Sequence, residues 1–131
     1  MTTNIFDKAL EILGPNGEHW TSVTLREEVE GKGVCYCLLG AIFKAYTGLE
    51  PVPDDDGQSD WVYDSANDGD LKSELTPLVE LIKPKLNSYE KLNHYDQSRY
   101  ASSVLYRFND TSRTFDPIAE VLQEASRKVS A

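Results

Sequence analysis

The residues whose types suit covalent chemistry are two thiols, an imidazole and a polar pair late in the chain: Cys35, Cys37, His94, Asn109 and Asp110. Cys37 stands where an apolar helical stretch begins, and unpaired amides at a helix start favour a thiolate. His94 could take its proton, with Asn109 or Asp110 orienting the ring, in the chain order of a Cys-His-Asn or Cys-His-Asp site. Such a site would make a cysteine-dependent hydrolase or transferase. The same residues also read structurally. Cysteine is among the most buried residue types, and Cys37-Leu38-Leu39-Gly40-Ala41 suits a helix packed so closely that only small side chains fit. We take the packed helix as the primary reading and cysteine chemistry as the alternative.

Metal chemistry finds less. Cys35, Cys37, His19 and His94 offer one close pair where a structural zinc site uses two, and that pair has the wrong spacing. Asp64-Ser65-Ala66-Asn67-Asp68-Gly69-Asp70-Leu71 resembles a calcium loop in part. Ala66 cannot ligate, however, and Leu75 occupies the place of the bidentate Glu. No metal and no cofactor is expected.

Charge is distributed unevenly. Of 13 basic and 22 acidic residues, net −9, residues 50–71 hold eight acids and no base. Residues 1–49 come to −2 and residues 72–131 to +1. A net-acidic surface repels phosphate backbones, so a nucleic-acid partner is not expected. Within the acidic stretch, Trp61 and Tyr63 stand between Asp60 and Asp64, close to Asp54, Asp55 and Asp56. Large aromatics with an acidic rim suit docking to the basic surface of a protein partner. The alternative is that one or both rings turn inward and tie the stretch to the core. Phe108-Asn109-Asp110-Thr111-Ser112-Arg113-Thr114 joins two helical stretches and is rich in capping residues, which suits a structural joint first and a ligand-binding corner second.

The elements that must position these residues follow from periodicity. Ile5, Phe6, Ala9, Leu10, Ile12 and Leu13 predict a first helix, capped by Thr3 and stopped by Gly14-Pro15. Trp20–Leu25 and Val34–Cys37, separated by Gly31-Lys32-Gly33, suit a small hairpin. The next helix runs from Cys37 to Gly48 and is apolar around most of its circumference, which makes it the expected centre of the core. Residues 49–70 read as a long acidic loop. Thr76-Pro77 predicts a helix start that Pro84 ends, and Tyr100, Val104, Leu105 and Phe108 belong to a helix from near Asp96. Asp116 is expected to cap the last helix, with Pro117 first and Ile118, Val121, Leu122, Ala125 and Val129 on one stripe. The fold class expected is mainly α (α+β): a compact helical domain of four to five helices spanning 1–131, with a possible small β-hairpin.

Two cysteines one residue apart make no useful staple and suit a reducing, cytoplasmic setting. No run approaches the roughly 18 apolar residues of a membrane span. The pattern leaves the oligomeric state open.

Trp20, Cys37-Leu38-Leu39-Gly40-Ala41, Phe108-Asn109-Asp110, Arg113-Thr114 and the helix from Pro117 together resemble a small domain family of unknown function found in actinobacteria and their phages. The resemblance covers both ends and leaves residues 49–95 without a counterpart. Phe108 stands where that family usually has Trp, which keeps an aromatic there. The resemblance implies a phage or actinobacterial origin and a cytoplasmic protein of a bacterial host, and brings no catalytic residues. The function expected is that of a small acidic accessory protein that binds a host or phage protein.

Overall fold

The computed structural model describes residues 4–22, 25–51, 69–86 and 100–130. Helix α1 (Ile5–Leu13) buries Phe6, Ala9 and Leu13, one face at helical spacing. Its cap is Asn4, one residue later than expected: the Asn4 carboxamide oxygen accepts from the amides of Phe6 and Asp7 at 3.0 Å each.

Strands β1 (Arg26–Val29) and β2 (Gly33–Tyr36) form an antiparallel hairpin, with Arg26 opposite Tyr36 and Val29 opposite Gly33. The first strand begins at Arg26, after the expected Trp20–Leu25, of which residues 23 and 24 lie outside the described residues. Trp20 keeps only an isolated parallel bridge to Tyr36. The more polar Arg-Glu-Glu-Val segment pairs instead because the Glu30-Gly31-Lys32 turn fixes the register, with the Lys32 amide donating to the Val29 carbonyl at 3.0 Å.

Helix α2 (Leu38–Thr47) has six consecutive buried residues, Leu38 to Phe43, and is the centre of the core as its composition predicted. Gly48 ends it in the left-handed region at φ 77°, its amide donating to the Lys44 carbonyl. Helix α3 spans Leu71–Ile82 and starts six residues earlier than Thr76-Pro77 suggested. Leu71, Leu75, Leu78, Val79 and Ile82 form a single buried stripe, and burying the first two outweighs placing Pro77 inside the helix. A 3-10 turn at Lys83–Lys85, containing Pro84, closes this element as expected.

Helix α4 covers Tyr100–Thr111 among the described residues. Helix α5 (Asp116–Ser130) starts at the expected cap residue, one residue before Pro117: the Ala119 amide donates to the Phe115 carbonyl, which places Asp116 in the first turn. Val129, expected on the buried stripe, is exposed, and Ser126 is buried in the last turns.

The main helix contacts close into a ring: α1 on α2, α2 on α4, α4 on α3, α3 on α5, and α5 back on α1. Among the described residues, the buried side chains of the five helices and β2 form one hydrophobic cluster. The chain therefore has the mainly α fold with a two-stranded sheet that its sequence predicted. Among the described residues, no helix is long and apolar enough to cross a membrane.

Candidate functional site

Asn109 is fully buried near the C-terminal end of α4. Its Oδ1 accepts from the Trp20 indole N–H at 2.7 Å and from the Leu38 amide, the first of α2, at 2.9 Å. Its Nδ2 donates to the Thr21 carbonyl at 3.1 Å and to Asp110 Oδ1 at 3.2 Å. A carboxamide has two acceptor sites and two donor hydrogens, so this one is fully used. The Trp20 ring also lies 5.8 Å from that of Phe115, at a tilted 50°. One side chain thus joins α4, the start of α2 and the segment before the hairpin.

Cys37 shares this joint. It is the N-cap of α2, 4% exposed, and its Sγ accepts from the Gly40 amide at 3.4 Å. Its own amide donates to the Leu25 carbonyl at 3.3 Å. Gly40 lies under the same carbonyl, and a Cβ there would collide with the Leu25 oxygen. The small residues after Cys37 thus let the hairpin approach helix α2. The structure brings Cys37 and Asn109 together, but both groups fill amide positions at a helix start. Asp110 is exposed, its carboxylate turned toward Asn109. His94 lies outside the described residues.

The second thiol, Cys35, is fully buried on β2, and burial pushes it above the ordinary thiol range. Neither cysteine is in a disulfide. Among the described residues, no group of His, Cys, Asp and Glu is placed to hold a metal ion.

A different cluster marks the entrance to the acidic stretch. The Tyr36 hydroxyl lies 2.8 Å from both carboxylate oxygens of Glu50 and accepts from Lys44 Nζ at 2.9 Å. Lys44 pairs with Glu50 at 3.2 Å and sits 5.0 Å from the Tyr36 ring centroid. The bond to Tyr36 holds the Lys44 ammonium above its usual pKa, with Glu50 adding to it, while burial raises the Tyr36 phenol. This clasp fixes the first acid of the stretch. Pro51 beyond it and Leu71 at the far end are buried, while Tyr46 and Leu49 just before it are exposed. The expected docking residues Asp54, Asp55, Asp56, Asp60, Trp61, Tyr63 and Asp64 lie outside the described residues.

The corner after α4 opens on a cleft of about 500 Å³. Lys85, Arg107 and Arg113 reach it from two distant stretches, over a wall that includes Phe108 and Pro117. Sequence reasoning marked residues 108–114 but missed Lys85, which has no local signal tying it to a corner 22 or more residues away.

A family model matches residues 1–128. The chain belongs to a family of unknown function, DUF6197. The match runs through residues 49–95, which the short motifs had left without a counterpart, so the acidic stretch falls within the family's own length. No curated protein and no solved structure matches the chain.

Proposed function

We propose that this member of the family is a protein-binding module whose acidic stretch, residues 50–64, docks on the basic surface of a protein partner. The observation that carries the reading is the asymmetry of charge: eight acids and no base in residues 50–71, with Trp61 and Tyr63 among them. An aromatic anchor in a negative rim fits a basic partner, and charge of this density speeds encounter. The surroundings support it. The Tyr36–Lys44–Glu50 clasp and buried Pro51 and Leu71 fix where the stretch leaves and rejoins the core, and exposed Tyr46 and Leu49 add apolar surface beside its start.

Cysteine chemistry is the weaker reading, because Cys37 is 4% exposed and its sulfur caps α2. The resemblance of the joint residues to a family of actinobacteria and their phages supports an accessory role in a bacterial cytoplasm, on a host or phage protein.

The test is capture of partners from actinobacterial lysate at low and high salt, followed by association kinetics on the captured protein. One stoichiometric partner released by salt is expected, and Asp54→Lys, Asp55→Lys and Asp56→Lys together should slow association and flatten its salt dependence. An unchanged salt response in that triple variant would remove the acidic stretch from the interface.

A further inference from the structure

A cleft of about 500 Å³ lies at the corner between α4 and α5. Lys85 comes from the 3-10 turn after α3, while Arg107 and Arg113 lie on either side of the end of α4. In a chain with 22 acids and 13 bases, three cations converge on one cavity. No acid lines it among the described residues.

The neighbouring hydroxyls sharpen the contrast. Thr111 Oγ1 donates to the Arg107 carbonyl and Ser112 Oγ to the Phe108 carbonyl, both at 2.7 Å. These back-bonds turn both hydroxyls onto the helix's own carbonyls at the end of α4. Lys85 and Arg113 are exposed, and neither forms an ion pair among the described residues. The two flanking carboxylates are not in the wall: Asp110 accepts from Asn109, and Asp116 occupies the first turn of α5.

We propose that this cleft binds a small phosphomonoester, its phosphoryl group held by Lys85, Arg107 and Arg113 and its organic body laid against Phe108, Leu86 and Pro117. Guanidinium forks suit the oxygens of a phosphoryl group, and the two exposed cations, Lys85 and Arg113, match a dianion better than a monocarboxylate. The volume is in the range of small-molecule pockets and leaves room for more than the phosphoryl group itself.

The experiment is an amide NMR titration of the whole chain with phenyl phosphate, inorganic phosphate and benzyl alcohol in parallel. Phenyl phosphate should give saturable shifts at residues 85–86 and 107–117, inorganic phosphate should bind the same residues more weakly, and benzyl alcohol should leave them unmoved. Arg113→Ala and Lys85→Ala change exposed side chains and should keep the remaining spectrum, while each weakens phenyl phosphate about tenfold, the loss of one charge-assisted contact. Equal binding of benzyl alcohol would make the cleft merely apolar. Shifts without saturation, or wild-type affinity in both variants, would overturn the site. Equal affinity for inorganic and phenyl phosphate would overturn the role given to the apolar wall.

Discussion

The joint at Asn109 and the clasp at Glu50 both tie separate elements together through a few polar atoms, yet they stand in different surroundings. Asn109 is fully buried with all four of its hydrogen-bonding positions used. In the clasp, the side chains of Lys44 and Glu50 keep 33% and 45% of their exposure. Water can replace a lost partner in the clasp and cannot do so in the joint. The number of bonds is similar, so what separates the two is the desolvation that a broken bond leaves uncompensated.

Asn109→Ala tests the buried side of that comparison and should have the largest effect. It orphans the Trp20 indole N–H, the Leu38 amide and the Thr21 carbonyl, and a loss of about 3 kcal/mol in urea unfolding is expected. Asn109→Asp keeps the acceptors, loses both donors and buries a charge beside Asp110. Desolvation raises that new carboxyl's pKa in the folded state, so the variant should be weakest at neutral pH and regain stability as pH falls and the group protonates. A loss under 1 kcal/mol in Asn109→Ala would mean that water enters the joint.

Gly40→Ala comes next. Alanine normally favours a helix over glycine, but here its Cβ meets the Leu25 carbonyl, and a loss of about 2 kcal/mol in thermal or urea unfolding is expected. Cys37→Ala should cost about 1 kcal/mol, a lost cap, while Cys37→Ser keeps an acceptor at the same place and should cost less. Native alkylation of Cys37 should be far slower than in the unfolded chain. Rapid alkylation in the folded protein would restore weight to the cysteine-dependent reading.

Glu50→Gln addresses the exposed side and should have the smallest effect, under about 1 kcal/mol and fading further with added salt. The clasp also has a pH signature. Both Lys44 and Tyr36 have folded pKa values above their ordinary ones, from 10.5 and 10.0, so each binds its proton more tightly when folded. Their contribution is complete below about pH 10 and is lost as pH rises through the folded values. A wild-type minus Glu50→Gln difference that persists unchanged at pH 11.5 would contradict this account, about one unit above the Lys44 reference.

Sequence pattern revealed most of the helices because their burial is periodic along the chain. Phe6, Ala9 and Leu13 in α1 and Ile118, Val121 and Leu122 in α5 announce their own buried faces. Helix α3 was legible only from Pro77 onward, since a proline at a good starting position masks apolar residues upstream whose value depends on tertiary burial. The hairpin was legible as a turn but not as a register. The joint was legible as short motifs, yet not as one object: Trp20 and Leu38 are 89 and 71 residues from Asn109, and nothing local connects them. Lys85 was missed for the same reason, because a cleft made by two distant stretches has no sequence period.

The ring of helix contacts also bears on how the protein is made. Helix α5 packs against both α1 and α3, and Asn4 at the start of α1 donates to Ser126 and Ser130 in its last turns at 3.0 and 3.1 Å. A ribosome therefore releases the first helix, and α2 that packs on one side of it, long before its other covering surface exists. The side of α1 that meets α5 must wait through the synthesis of the acidic stretch, and the native ring can close only after α5 has cleared the exit tunnel. During that interval the nascent chain exposes apolar surface that the finished chain buries.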